Sequence, residues 1–167
     1  LMPGFVDPHT HVVWAGDRAE EFESRLAGKT YLEILEAGGG ILSTVRATRQ
    51  ASLESLKEQT RSRIQAMFAH GTTTLEAKSG YGLDQDTEHK MLRAMLELDQ
   101  EEVPDLVLTY LGAHAVPPEF TGNTAGYTDH LCEVLLPALA AWWPEQTSRS
   151  LPYVDVFCER GGFDLSQ

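Results

Sequence analysis

The segment Thr72-Thr73-Thr74-Leu75-Glu76-Ala77 marks the point at which the pattern of the sequence changes. Before it, apolar residues recur at helical spacing from Leu53 to Phe68, with Ser52 placed to cap the start and Gly71 just past the end. The segment itself is short and β-branched, which predicts a strand. A helix that leads directly into such a strand indicates an α/β protein.

Three further segments have the same strand-like character. Phe5-Val6 is a short apolar run that predicts a buried strand ending in a polar loop. Residues 106–111 and 153–158 are longer apolar runs, each followed by a segment that contains glycine. Because these runs are almost continuously apolar, we expect strands that are buried on both faces, as in parallel sheets.

Helical segments separate the strands. Asp86 opens a second amphipathic helix, and a third is predicted from about Gly126 into the 130s. Pro137 should end or kink that third helix, because proline lacks the backbone N–H that a helix interior needs. Shorter helical pieces are expected at Ala19–Leu26 and Tyr31–Glu36.

The resulting order of strands and helices is a series of βαβ units, which predicts parallel strands joined by right-handed crossovers. Four strands make half of an eight-stranded (β/α)8 barrel, which typically needs about 250 residues. A complete doubly wound sheet also fits the length of the chain. The sequence therefore predicts one α/β domain, with its functional residues at the carboxyl ends of the strands.

The composition predicts a globular, acidic protein. Lys and Arg total 13 and Asp and Glu total 25, which gives a net charge of −12. This balance argues against a nucleic-acid partner or an anionic membrane surface, since no basic cluster is present. The sequence contains no apolar stretch of about 18 residues, so it predicts no transmembrane helix. Without a visible secretory signal, the cytoplasm is the expected location.

Several common site types find no support in the sequence. Gly38-Gly39-Gly40 lacks the Gly-Lys-Ser/Thr of a phosphate loop and predicts a flexible hinge, and no G-x-S-x-G motif of serine hydrolases occurs. Trp142 and Trp143 are expected to form a packing or interface patch rather than to stack on bases. Cys132 and Cys158 lack C-x-x-C spacing and are expected to be buried, reduced thiols.

His9 and His11 are the first candidates for chemistry. Residues i and i+2 of a strand point to the same side, so both imidazoles can converge on one ion, and imidazole suits zinc or iron. The pair follows an apolar strand and opens onto a loop, which favours a metal site. Two unrelated, half-buried histidines are the alternative.

His114 and Tyr81 follow two other predicted strands and belong to the same edge of the sheet. His114 is a candidate metal ligand, proton carrier or substrate contact, and the alternative is a core histidine bonded to a backbone carbonyl. Tyr81 lies between two glycines that let the backbone turn, so that its phenol can reach a pocket. A packed loop aromatic is its alternative.

Three charged residues complete the set of candidates. Arg18, in the first loop, is suited to bidentate capture of a carboxylate, with a surface ion pair to Glu20 or Glu21 as the alternative. Lys78 closes the second strand, where a solvent-exposed lysine is expected and a charged pocket residue is the alternative. Glu159 follows the fourth strand and is a candidate contact of a metal-bound water or of a ligand histidine.

The run from Pro3 to His11 resembles the first barrel strand of the amidohydrolase superfamily. Further segments narrow this resemblance, and their combination along the whole chain is similar to the imidazolonepropionase family. These segments are residues 15–18, 38–45, 78–82, 111–119 and 154–159.

The resemblance implies a metal-dependent hydrolase of histidine degradation, which opens the cyclic amide of 4-imidazolone-5-propanoate to give N-formimidoyl-L-glutamate. It implies a homodimer built on a (β/α)8 TIM barrel, with a small β-sandwich from both chain ends and one zinc or iron(III) ion per active site. His9 and His11 match metal ligands, Arg18 matches the residue that holds the substrate carboxylate, and Tyr81 and His114 match substrate contacts. His114 is further expected to act in catalysis by donating to the carbonyl oxygen.

The resemblance also implies that residues 1–167 form only the first half of the barrel, about four strands. The sandwich portion and the later strands, which carry a third histidine, an aspartate and a glutamate of the family's site, are absent from this stretch. We therefore expect this stretch alone to be inactive and, because its strand edges are open, prone to associate.

Two other functions stay open at this point. One is a different mononuclear amidohydrolase, such as a deaminase that acts on nucleobase-like rings. The other is a non-catalytic α/β module that uses the half-barrel for association. The substrate consumed separates the first from imidazolonepropionase, and stoichiometric metal separates the second.

Overall fold

The computed structural model describes residues 1–30, 33–34, 38–101, 103–159 and 162–167. The helix predicted over Tyr31–Glu36 lies, apart from Glu33 and Ile34, outside these residues. The predicted α/β fold is confirmed: four parallel strands form a curled half-barrel, in agreement with a partial (β/α)8 TIM barrel.

The strands pair in the order in which they occur along the chain, β1-β2-β3-β4. A doubly wound sheet reverses its strand order partway across, so this order excludes that alternative. The register pairs Thr10 with Ala77 at the end of β1 and Lys78 with Thr109 at the end of β2. The strands are β1 (Phe5–Thr10), β2 (Thr72–Lys78), β3 (Asp105–Ala113) and β4 (Tyr153–Val156).

Helices fill the connections between the strands. The helix that precedes β2 begins as predicted, with the Ser52 side chain accepting a hydrogen bond from the Ser55 backbone N–H at 3.2 Å. The helices are α1 (Ala19–Leu26), α2 (Ile41–Gln50), α3 (Leu53–Ala69), α4 (Gln85–Glu101), α5 (Thr124–His130) and α6 (Leu136–Gln146), with a 3-10 turn at Pro118–Phe120 and a π-helical segment at Leu131–Leu135. Among these helices, none is long and apolar enough to span a membrane.

The main core lies between the two inner strands and the helices α3, α4 and α6. Strand residues Leu75 and Leu106 pack there against Leu56 and Ile64 of α3 and Met95 of α4, and all five are almost completely buried. Trp143 joins this core, and Trp142 stacks on His89 with ring centroids 4.3 Å apart. The packing role predicted for the two tryptophans is therefore confirmed.

The prediction that every strand is buried on both faces was wrong for β1 and β4. Phe5 and Val6 of β1 are 58% and 66% exposed, and Val154 of β4 is 54% exposed. Each of these strands has a neighbouring strand on only one side. Apolar composition alone therefore did not separate the inner strands from the edge strands.

Two further expectations hold only in part. The last helical stretch does not end at Pro137, because the π-helical segment lies just before it and α6 continues to Gln146. The wider π turn accommodates a ring that would collide with the carbonyl four residues earlier in an α-helix. Cys132 and Cys158 are free, as expected, but both are exposed: Cys132 lies on the π-helical segment and Cys158 just beyond the edge strand β4.

Candidate functional site

The site begins where β1 ends against β2. Thr10, the last residue of β1, donates its hydroxyl hydrogen to the Glu76 carbonyl at 2.6 Å. This contact fixes the residues on either side of Thr10, and the His9 and His11 rings lie 5.7 Å apart, centroid to centroid, at an interplanar angle of 63°. The two rings therefore lie on the same side of the strand, as the sequence predicted.

His11 is the more enclosed of the two histidines. Burial, and then the charges of His114 and His9, lower its pKa to about 4, although a hydrogen bond that the ring donates to the Ser79 backbone acts in the opposite direction. The ring is therefore neutral at neutral pH. Its Nδ1 atom is buried and, within the described residues, has no hydrogen-bond partner. A buried nitrogen in this state is available to an ion or a ligand.

His114 lies beside His11 directly after β3. The two rings stack with centroids 4.6 Å apart and an interplanar angle of 12°. Nδ1 of His114 lies 2.9 Å from the Gly80 carbonyl oxygen. A carbonyl only accepts, so Nδ1 carries the hydrogen, and Nε2 of the neutral ring is left as an acceptor. Burial lowers the pKa of His114, which favours this neutral form.

Tyr81 closes the group from the loop that follows β2. Its ring centroid lies 5.3 Å from those of both His11 and His114. Burial raises the pKa of its hydroxyl, and the charge of Arg18 acts in the opposite direction. The phenol is therefore protonated at neutral pH and can donate one hydrogen bond.

The backbone beyond His11 is held by the side chains of two helical residues, Arg63 and Thr48. The Arg63 guanidinium donates to the carbonyls of Val12 and Trp14, both at 2.9 Å, and lies 3.5 Å from the centroid of the Trp14 ring. The Thr48 hydroxyl accepts a hydrogen bond from the Ala15 N–H at 3.1 Å. These contacts set the path of the loop that leads to Arg18.

Arg18 lies outside the histidine group. Its Nε and Nη2 atoms contact Glu21 at 2.7 and 2.6 Å, which is the surface ion pair considered as the alternative. It lines a cavity of about 470 Å³ together with Glu21, Lys29 and Arg46. Its charge nevertheless affects the pKa of Tyr81, so the arginine lies within electrostatic range of the site.

Lys78 is buried, which contradicts the expectation of an exposed lysine. Its ammonium group lies 3.0 Å from Glu76 and 2.8 Å from Asp155, and Glu76 also accepts a hydrogen bond from Thr109 at 2.7 Å. Burial alone would lower the pKa of Lys78, but its bonds to Asp155 and Glu76 outweigh this effect and raise the pKa. The resulting charged cluster joins β2, β3 and β4 beneath the histidines.

Sequence reasoning missed Glu76, Asp155 and Phe157. Phe157 lies edge-on to His114, with ring centroids 6.0 Å apart. The available signal was the spacing of Glu76 and Lys78, two polar residues at i and i+2 in a buried strand. Glu159, which was a candidate, is exposed, and among the described residues no hydrogen bond or ring contact joins it to the histidines.

The residues present fit part of a metal site. His9 and His11 supply two imidazoles, and the unpartnered Nδ1 of His11 is the observation that favours a bound ion. Among the described residues, however, no group of three or more His, Cys, Asp or Glu side chains could hold a metal ion. Zinc in catalytic sites usually takes three protein ligands, so the donor set is incomplete within this stretch.

The fold and the site define a class of protein. The strands form a parallel half-barrel, and histidine and tyrosine side chains lie together at the carboxyl ends of β1, β2 and β3. This is the arrangement of the (β/α)8-barrel class, whose sites lie at the carboxyl ends of the strands. No protein-family model matches the chain.

Comparison with curated proteins identifies the family within this class. The chain is 53% identical to an imidazolonepropionase of Herpetosiphon aurantiacus over 99% of its length, and 51% identical to one of Chloroflexus aggregans over 100%. An imidazolonepropionase of Paraburkholderia phymatum is 52% identical over 100% of the chain. The chain belongs to the imidazolonepropionase family. It spans about 40% of the length of these relatives.

Proposed function

We propose that the protein hydrolyses the cyclic amide of 4-imidazolone-5-propanoate to N-formimidoyl-L-glutamate, a reaction of histidine degradation. The observation that supports this proposal is the close group of His11, Tyr81 and His114 in a chain that is half identical, over its whole length, to relatives named imidazolonepropionase. We further propose a cytoplasmic homodimer, as the family resemblance implies.

His9 and His11 are proposed to hold one zinc or iron(III) ion together with residues outside this stretch. Such an ion would supply Lewis acidity, which lowers the pKa of a bound water towards about 7 and polarises a carbonyl. The lowered pKa of His11 suits this role, because a metal ligand must be the neutral imidazole.

His114 is proposed to act through Nε2. The Gly80 carbonyl fixes the hydrogen on Nδ1, so the neutral ring can accept a proton or a hydrogen bond from the attacking water or from a ring N–H of the substrate. Donation to the carbonyl oxygen, the role suggested by the sequence, requires the ring to be charged first, and burial opposes that charge. Tyr81, protonated and adjacent, is the available donor to a substrate oxygen.

Arg18 is proposed to hold the propanoate carboxylate. Glu21 takes the Nε and Nη2 side of its guanidinium, and the Nη1 side would take the substrate. Binding the remote carboxylate would orient the ring amide for attack by water, after which the carbonyl–nitrogen bond breaks and the released nitrogen takes up a proton.

A substrate panel tests this function in the protein expressed from its complete natural gene. We expect loss of imidazolonepropanoate with formation of formimidoylglutamate, and no release of ammonia from purine or pyrimidine bases. Ammonia release from the bases, with imidazolonepropanoate untouched, would indicate a deaminase. No turnover together with no bound metal would indicate the association module.

A further inference from the structure

Glu88, on the first turn of α4, is a fully buried carboxylate that the proposed chemistry does not use. Its Oε1 atom accepts hydrogen bonds from the backbone N–H groups of Gly82 at 2.7 Å and Leu83 at 2.9 Å. The Gly80 N–H lies 3.2 and 3.1 Å from its two oxygens, and the Ser79 hydroxyl is a further donor. The carboxylate therefore holds the whole loop that carries Tyr81.

All of these partners are donors. An ionised carboxylate only accepts hydrogen bonds, whereas the protonated acid also carries an O–H that needs an acceptor, so this ring of N–H and O–H donors suits the charged form. Burial raises the pKa of Glu88, whereas the bonds from Ser79, Leu83, Gly82 and Gly80 act in the opposite direction. A buried charge is tolerated only when it is hydrogen-bonded in this way.

The two glycines beside Tyr81 are needed for the loop to lie this close to Glu88. A Cβ atom on Gly82 would lie 2.7 Å from the Glu88 backbone nitrogen. Gly80 has φ +107°, and a Cβ atom there would lie 2.9 Å from the His114 ring and 2.8 Å from the Leu111 carbonyl. Leu83 is held at φ +59°, a left-handed conformation that is unfavourable for leucine. The loop is thus fitted closely to Glu88 on one side and to His114 on the other.

The same loop connects Glu88 to the site. The N–H of Gly80 bonds to Glu88, and the carbonyl of Gly80 accepts the hydrogen of His114 Nδ1. Tyr81, the next residue, places its ring 5.3 Å from His11 and from His114. Displacement of the loop would therefore move the phenol and remove the acceptor that decides which nitrogen of His114 carries the hydrogen.

The geometry points to Glu88 as a positioning residue, which holds Tyr81 in the site and keeps His114 in the tautomer with hydrogen on Nδ1. Glu88 touches neither substrate nor ion and acts through the backbone of residues 79–83. Its effect on turnover rests on the proposed function, whereas its effect on the loop and on the His114 tautomer does not.

Glu88→Gln tests this assignment in the protein expressed from its complete natural gene. The amide is nearly isosteric but brings N–H donors against the backbone N–H groups of the loop. We expect amide hydrogen exchange in residues 79–83 to become about 10-fold faster or more. Nitrogen-15 spectra of the histidine rings should show the His114 hydrogen leaving Nδ1, with the signal assigned from a His114→Asn variant.

Glu97→Gln is the matched control, since Glu97 lies on the same helix, has a side chain that is 38% exposed, and pairs with Lys57 rather than with the loop of residues 79–83. Neither the loop exchange nor the His114 signal should change in this variant. In the active protein, Glu88→Gln should lower kcat/KM by about 10- to 100-fold, as expected for a displaced contact, and Glu97→Gln should not.

Unchanged loop exchange and an unchanged His114 tautomer in a folded Glu88→Gln protein would overturn the assignment. If that variant does not fold, the same two measurements are made on Glu88→Asp. This variant keeps the charge but shortens the side chain by one methylene. If the protein consumes no imidazolonepropanoate, the proposed function fails, and the two structural measurements still decide the role of Glu88.

Discussion

Two carboxylates each hold a loop that bears a candidate substrate contact, but they do so in different surroundings. Glu88 is fully buried and holds the Tyr81 loop through backbone N–H groups. Glu21 lies near the surface, with its side chain 16% exposed, and holds Arg18. Its other oxygen accepts hydrogen bonds from Gly40 N–H at 2.9 Å and Ser43 Oγ at 3.0 Å.

The difference in burial decides how much each carboxylate contributes to the free energy of unfolding. Removing a buried acceptor leaves its donors without water or protein partners, whereas groups near the surface regain water. We therefore infer that the Tyr81 side of the site is rigid and that the Arg18 side can adjust when a substrate carboxylate arrives. Substitutions on the two sides of the site test this contrast.

Glu88→Ala should have the largest effect on stability. Because each stranded donor costs about 1–3 kcal/mol, we expect a loss of about 3 kcal/mol or more in the free energy of unfolding. Chemical denaturation measures it, with Glu97→Ala as the control. A loss no greater than that of the control would contradict the role given to the buried carboxylate.

Gly82→Ala should come next. The added methyl would lie 2.7 Å from the Glu88 backbone nitrogen, and such overpacking costs about 1–3 kcal/mol. The displaced loop should also lower turnover. Gly122→Ala is the comparison, because Gly122 has φ +77° and open space around its Cβ position, so only stability should change. Equal turnover in both variants would argue against the close fit of the Tyr81 loop.

Arg18→Ala should affect binding more than folding. Loss of a charge-assisted bond to the substrate carboxylate is worth about 1.5–3 kcal/mol, which corresponds to roughly a 10- to 100-fold rise in KM. Steady-state kinetics measure it, with Arg25→Ala on the exposed end of α1 as the control. If KM and kcat are unchanged, Arg18 does not hold the substrate.

Glu21→Gln should have the smallest effect, below about 1 kcal/mol in stability, because the pair with Arg18 is near the surface. Burial alone would raise the pKa of Glu21, but the bonds from Arg18, Gly40 and Ser43 outweigh it and lower the pKa below 4.5. The stabilisation is therefore present above pH 4.5 and is lost as the pH falls below it. Unfolding curves of the two proteins should converge in acid; a constant difference would contradict this account.

The sequence predicted the elements that depend on local signals. The helix over Leu53–Ala69, with its cap at Ser52, and the strand that follows Gly71 were both predicted because capping and apolar spacing act over a few residues. The sequence allowed either a half-barrel or a doubly wound sheet. The order of the strands in the sheet, which the sequence did not predict, distinguishes the two.

The features that the sequence did not predict depend on long-range register. Lys78 is buried because the sheet brings it to Asp155, 77 positions away in the chain. In the sequence, Glu88 is an ordinary polar residue of an amphipathic helix. Its burial depends on the loop of residues 79–83, which covers it in the fold. The His114 tautomer likewise depends on the position of the Gly80 carbonyl, 34 positions earlier in the chain.

We propose that the group formed by His9, His11, Tyr81 and His114 is a hydrolytic metal site. Two quantities are measured on the same preparations: the zinc and iron bound per protein, and the rate of imidazolonepropanoate hydrolysis. The protein is compared with its His11→Asn variant. His70→Gln, at an exposed histidine, is the control. We predict that His11→Asn loses both the metal and the activity while the control keeps both, and hydrolysis at the original rate by metal-free His11→Asn would contradict the claim.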